Sequence, residues 1–345
     1  MKKKLTALIL AAILLLSLCG CEQEDIQQQS SNFANTVMAG DVFAYRDGFI
    51  YFPDAGYMYE YDTQTGKTAR LHSLASYFAH DLAVTDEYIS YDLMASEDVY
   101  YITRDGKNSG TLFQRNGDGN MRSLFQEGNT WYFIDHYQTK DKTGTVYQLR
   151  SRDAETGEET LLYEAEIINT YFVDEEYIYA VWIDITGYTA EGEAITDCGL
   201  VRSPKNEIAF EPVETSLYPI MVFVDGEDLY ICNRDDAQIW HCANGVETPL
   251  SVVSPYYQVF DGHLVYQDSA PGVPKYDVVN GPFGDPLKVY NLETGEEKVL
   301  AESVFYFAIL GERYVAYGVN LDGTNFRWYV YDWQTGETKE MVKSV

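Results

Sequence analysis

Basic side chains are scarce in this sequence. Its 345 residues carry 24 Lys and Arg against 54 Asp and Glu, a formal charge of -30 at neutral pH. That imbalance excludes a phosphate-binding surface as a first reading, because nucleic-acid binders cluster Lys and Arg; no nucleic acid is expected as a partner. The simplest consequence of the acidity is solubility and repulsion from like-charged surfaces. Helical periodicity is missing as well. No stretch longer than a turn repeats its apolar residues about every 3.6 positions, which argues against bundles and doubly wound folds. The longest apolar run, Leu5 to Leu18, falls short of the roughly 20 residues that span a bilayer as a helix.

Short motifs of nucleophilic, zinc and phosphate chemistry (G-x-S-x-G, H-E-x-x-H, S-x-x-K, G-x-x-x-x-G-K-S/T) do not occur. The histidines His72, His80, His136, His241 and His263 are scattered, and His80-Asp81 is the one acid-base neighbour pair. "NGDGN" from Asn116, with Glu127 eleven residues on, has Met121 where a calcium loop demands glycine, and reads as a turn. No metal, cofactor or catalytic residue is assigned. Cysteines are few. Outside the N-terminal segment there are Cys198, Cys232 and Cys242. The last two flank "NRDDAQIWH", a hairpin in which pairing Asp235 with Ile239 sets them opposite each other. Cys232 and Cys242 are therefore the candidate disulfide. His241 adds no metal site, since no second ligand stands at a usual spacing.

The N-terminus carries Lys2, Lys3 and Lys4 ahead of the apolar run, the pattern of a secretory signal. The run ends in Leu18-Cys19-Gly20-Cys21, which resembles the bacterial lipoprotein box. The resemblance implies that residues 1-20 are removed and that Cys21 is lipidated, holding the chain on the outer surface of the cell membrane, through the lipid alone. A plain signal peptide cleaved nearby is the alternative. Loss of the signal takes three lysines and no acid, moving the charge from -30 to -33. Residues 21-36, including "EQEDIQQQSS", are polar and aperiodic and suit a flexible tether.

What the chain has in abundance is repetition. "YDTQTGKTARL" opens at Tyr61 and "YDWQTGETKEM" at Tyr331. A short turn followed by an apolar, aromatic strand recurs seven times: "RDGFIYF", "TDEYISY", "EGNTWYF", "DEEYIYAVW", "DGEDLYIC", "DGHLVYQ" and "LGERYVAY". A short strand precedes each. Most are followed by a third strand, such as "YMYEYD" or "WYVYD", then a Gly-containing turn and a fourth strand. This is the pattern of an all-β, seven-bladed β-propeller with four antiparallel strands per blade, one domain over residues 37-345. Third strands are expected to hold Tyr59 in the first blade and Trp328 in the last. Thirty tyrosines fit blade packing, because Tyr buries its ring and keeps its hydroxyl wet; a sugar-stacking surface is the other reading.

With its signal segment and these repeats, the chain resembles the propeller lipoproteins of Gram-positive bacteria and is similar to TolB-type and low-density-lipoprotein-receptor-type propellers. The resemblance speaks for architecture and says little about activity, since propellers host both enzymes and pure binders.

Insertions in repeat proteins collect on one face, often the binding face. The connection between second and third strands is long in three blades: "HYQTKDKTG" in blade three, "ITGYTAEGEAITD" in blade four and "SAPGVPKYDVVNGPFGDP" in blade six. All three are expected on one face, with Tyr137, Tyr188, Tyr276 and Phe283 as aromatic contacts and Asp141, Glu191 and Asp285 as polar ones. Tyr77, Phe78, Tyr218, Tyr256 and Tyr257 line a funnel on the same face or pack the blades. The expected function is a surface-anchored, non-catalytic and monomeric binding propeller that recognises an extracellular protein, peptide or wall glycan. The alternative is a carbohydrate-active hydrolase or lyase.

Overall fold

The turns explain why these strands pair as they do. In Arg46↔Phe49, Asp54↔Tyr57, Ala243↔Val246 and Phe260↔His263 only two residues lie between paired positions. Those residues, Asp47-Gly48, Ala55-Gly56, Asn244-Gly245 and Asp261-Gly262, all have positive φ. Two-residue loops of this kind match the right-handed twist of a hairpin and fix its register. A computed structural model describes residues 42-76, 79-93, 98-114, 122-138, 144-189, 194-268, 285-311, 313-321 and 325-342. The signal, Cys21 and the tether lie outside them, as do Asp141, Glu191, Tyr276 and Phe283.

Five antiparallel sheets of four consecutive strands succeed one another, followed by a seven-stranded sheet. The last sheet is two blades joined, because the 14-residue strand Glu297–Leu310 closes blade six and continues as the first strand of blade seven. The result is seven blades of four strands. Tyr59 lies in the third strand of blade one, Tyr57–Asp62, and Trp328 in that of blade seven, Phe326–Asp332, as the repeats require.

Burial grades across each blade. First strands such as Pro219–Asp225 are almost wholly buried, whereas fourth strands such as Lys67–Ser73 are mostly exposed. First strands of neighbouring blades pack together, so they surround the axis. Second strands bury consecutive residues, as in Phe49–Asp54, because both faces of a blade meet a neighbour. That is why these segments read as continuous apolar runs, whereas outer strands alternate.

Tyrosines join the blades. The hydroxyl of Tyr171 in blade four donates to the Tyr132 carbonyl oxygen of blade three at 2.8 Å, and that of Tyr257 in blade six donates to the Tyr230 carbonyl oxygen of blade five at 2.7 Å. Burial drives both phenols well above their usual pKa. Tyr256 is buried too. Tyr256 and Tyr257 thus pack the blades rather than line a funnel, while Tyr77 and Phe78 fall outside the described residues.

The disulfide expected between Cys232 and Cys242 is not formed: none of the three described cysteines is in a disulfide. The register pairs Cys232 with Ile239 and Cys242 with Leu229, three positions away from the expected pairing. Side chains alternate across a strand, so the two thiols project from opposite faces of blade five. The turn sets this register. Asn233 donates from Nδ2 to Asp236 Oδ1 at 2.9 Å, the Gln238 N–H donates to the same oxygen at 3.0 Å, and Ala237 takes φ 54°.

Candidate functional site

In two of the three long insertions the flanking strands run on into the insertion. In blade three the second strand runs Thr130–Gln138 and pairs His136 with Tyr147 and Tyr137 with Val146. In blade four it runs Tyr177–Tyr188, pairing Gly187 with Ile195 and Tyr188 with Ala194. These hairpins project beyond their neighbours because their β-rich segments keep forming ladder bonds past the rim.

Of the expected contact residues, Tyr188 stands out at 66% exposure, beside exposed Ile195. Tyr137 is half-buried and bonded within its own blade. Its hydroxyl donates to Asp135 Oδ2 at 2.6 Å, and the Arg150 guanidinium lies 5.4 Å from its ring centroid. Burial, reinforced by Asp135, pushes its hydroxyl up to about 12. Asp285 begins the third strand of blade six, paired with Val304, and its charge adds to the burial that raises Tyr256. Tyr218 is exposed at the start of blade five with Arg234 5.0 Å from its ring centroid.

A concavity lies on the opposite face, that of the turns between first and second strands, between blades four and five. It is a cleft of about 680 Å³. One wall is the turn Asp174-Glu175-Glu176 joining the first two strands of blade four; the other is the matching turn of blade five, Asp225 to Asp228. The turns are held by their own acids. Asp174 Oδ1 accepts the N–H groups of Glu176 at 2.8 Å and Tyr177 at 2.6 Å. Asp225 accepts the Gly262 N–H at 3.1 Å, tying blade five to blade six, and Asp228 Oδ2 lies 2.8 Å from His241 Nε2. The carboxylates of Glu175, Glu176 and Glu227 stand exposed.

Aromatic side chains make the floor. Phe172 and Phe223 are buried beneath it, and Tyr177 and Phe260 are half-buried at its edges. Arg202 is the cleft's one cation, its guanidinium 5.0 Å from the Tyr177 centroid. Burial, then Asp174, pushes the Tyr179 hydroxyl up to about 12 against the pull of Arg202. Lys205 bonds Glu127 at 2.5 Å and clamps blade four to blade three on this face. Among the described residues no ion pair joins the blade-four turn to the blade-five turn. On this face the seam is closed by the packed Phe172 and Phe223 rings rather than by charge, and six carboxylates face one guanidinium above them. Such a site suits a cation that stacks on aromatic faces. In the sequence the site is not visible, because each turn, "DEEY" or "DGED", looks like an ordinary polar hairpin.

On the insertion face a second group gathers at the rim of blade two. His80 and Asp92 are cross-strand partners, and the register then shifts so that Asp81 is the extra residue of a bulge, at φ 51°. Bulges re-aim side chains in this way.

No protein-family model matches the chain, and no curated protein does. Solved propeller structures do resemble it. Acylaminoacyl peptidase from Pyrococcus horikoshii superposes with a TM-score of 0.59 at 11% identity, over 93% of this chain and 54% of that one. Oligogalacturonate lyase from Vibrio parahaemolyticus gives 0.54 at 9% identity, covering 90% and 92%. TolB from Acinetobacter baumannii gives 0.50 at 10% identity, covering 86% and 77%. The chain spans about half the peptidase's length. At such identities the likeness establishes the fold alone.

Proposed function

We propose that this protein is a non-catalytic binding propeller, held on the outer surface of the membrane through lipidated Cys21, that takes a basic segment of an extracellular protein or peptide into the acidic cleft. The observation that carries the reading is the cleft itself, where exposed Glu175, Glu176 and Glu227 stand over an aromatic floor. A Lys or Arg side chain entering there gains charge attraction and a face of Tyr177 or Phe260. Titration calorimetry with a Lys- and Arg-rich peptide tests it. Binding is expected to weaken as ionic strength rises towards about 0.15 M, where charges are screened within about 8 Å. It is expected to fall further in Glu175→Gln/Glu227→Gln. Binding that ignores both changes would transfer the site to the insertion face, with Tyr188 as its exposed anchor. Intact mass measurement of membrane-extracted protein tests the anchor, which requires acylated Cys21 as first residue.

A second reading, a carbohydrate-active hydrolase or lyase, is favoured by one observation: Asp81 and Asp92 are both buried and converge at the rim of blade two, the carboxylate pairing that glycoside hydrolysis uses. Turnover of oligogalacturonate or a chromogenic glycoside, abolished by Asp92→Asn, would establish it.

A further inference from the structure

We propose that His80, Asp81 and Asp92 form a binding site for a divalent transition-metal cation at the rim of blade two. The proposal does not depend on what occupies the acidic cleft, which lies on the other face. One imidazole nitrogen and one oxygen from each carboxylate all lie within 4.8 Å of one another. Ligand atoms on opposite sides of such an ion stand roughly 4 Å apart, so small side-chain adjustments close the set around it. His80 Nδ1 is already 4.0 Å from Asp81 Oδ2.

Burial distinguishes this group from the many surface carboxylates of an acidic protein. Asp81 is 3% exposed and Asp92 2%, while His80 is half-buried. Two carboxylates brought together away from water repel each other and lose hydration, and a cation between them offsets both. The site is held by the backbone. The ladder pair His80↔Asp92 fixes two ligands, and the bulge brings Asp81 to the same place instead of alternating it away. His80 and Asp81 belong to Ala79–Val84, the first strand of blade two, which places the cluster towards the axis. A mixed nitrogen and oxygen donor set favours Mn²⁺ or Zn²⁺ over the all-oxygen preference of Ca²⁺. Three protein ligands leave positions for water or for a ligand's oxygen.

Mn²⁺ is the probe. The full chain, detergent-solubilised and stripped with chelator, is titrated with Mn²⁺ while the free-ion electron paramagnetic resonance signal is followed. The expected result is loss of signal for one equivalent, nitrogen modulation from the His80 ring in the bound spectrum, and displacement by Zn²⁺. Asp92→Asn, which keeps the side-chain shape, and His80→Gln are each expected to weaken binding by roughly tenfold or more, with His80→Gln also removing the nitrogen modulation. Substitution of exposed Glu207 by Gln leaves it unchanged. Circular dichroism of the metal-free variants confirms folding, and half-buried His80 supplies the answer should Asp92→Asn not fold. No bound equivalent in the wild type, or binding that neither variant weakens, overturns the proposal.

Discussion

At the scale of single residues, the recurring phrase is a hydrogen-bonding device. In blade one Asp62 Oδ1 accepts the N–H groups of Gln64 at 2.8 Å and Thr65 at 3.0 Å, and the Gly66 N–H closes on the Asp62 carbonyl oxygen at 2.8 Å. Asp153, Asn291 and Asp332 do the same in blades three, six and seven. The sequence shows Thr-Gly as the turn's mark, but the residue that organises it stands three places before the Thr, and the exchange of Asp for Asn in blade six is the signal that its oxygen matters more than its charge. Bonds from Thr65 hold the Asp62 carboxyl below its usual pKa. A depressed carboxyl stabilises the fold above its unfolded pKa, and that contribution is lost as pH falls through the folded value. Asp62→Asn is therefore expected to match wild type at pH 7 to within a small shift of melting midpoint and to lose less on acidification, whereas Asp62→Ala is destabilised at pH 7. A melting series from neutral to acid pH checks both. Gly106 makes the complementary case. Its φ is 71° and an added Cβ would meet the Leu71 carbonyl oxygen of blade one at 2.6 Å, while at Gly226, φ 62°, a Cβ meets nothing within 4 Å. Denaturant unfolding is expected to show a loss of about 2–4 kcal/mol for Gly106→Ala and about 1 kcal/mol for Gly226→Ala.

At the scale of elements, two blades share a cross-strand Gly–Trp pair. Trp182 pairs with Gly199 in blade four and Trp328 with Gly318 in blade seven, and an added Cβ at either glycine would lie 2.8 Å from the indole. The glycine is needed so that the ring can lie across the neighbouring strand. Gly318→Ala is expected to cost about 1–3 kcal/mol, with altered near-ultraviolet circular dichroism because the indole must move. An unchanged near-ultraviolet spectrum would show that the ring does not depend on the gap. Strand existence and order were legible, since apolar runs bounded by turn residues recur at regular intervals. Strand ends and register were less so. "ITGYTAEGEAITD" reads as a loop because it holds Gly and three acids, yet ladder bonds carry the hairpin to Tyr188 and Ala194. The Cys232 and Cys242 pairing failed because apolar pattern does not count turn residues; Asn233 and Asp236 do. The acidic cleft was illegible for a related reason. Its two walls come from turns about fifty residues apart in sequence, and only the blade packing shows that they face each other.

At the scale of the molecule, the ring closes by packing the first and last blades side by side. Among the described residues every blade is built from consecutive strands. The seam is apolar and aromatic: Phe43, Phe52 and Trp328 form one cluster with Leu310 and Met341, and the Phe43 and Trp328 rings meet edge-on at 5.5 Å. Two polar ties cross it, Thr68 Oγ1 to the Met341 carbonyl oxygen and Trp328 Nε1 to Asp54 Oδ1, the second at 2.8 Å. Burial raises the Asp54 pKa, and the indole N–H opposes that shift. Replacing Trp328 with Phe keeps much of the apolar seam but removes the donor and leaves a part-buried carboxylate uncompensated. The expected loss is roughly 2 kcal/mol at pH 7 by denaturant unfolding. The sign of its pH dependence follows from the raised pKa. Without the indole the folded-state value rises further, so protonation relieves the variant more than the wild type, and the gap between them is widest near neutral pH and narrows as pH falls through the carboxylate range. A gap that stays constant with pH would mean that the seam depends on Trp328 for packing alone, and that the bond to Asp54 contributes nothing to holding the ring shut.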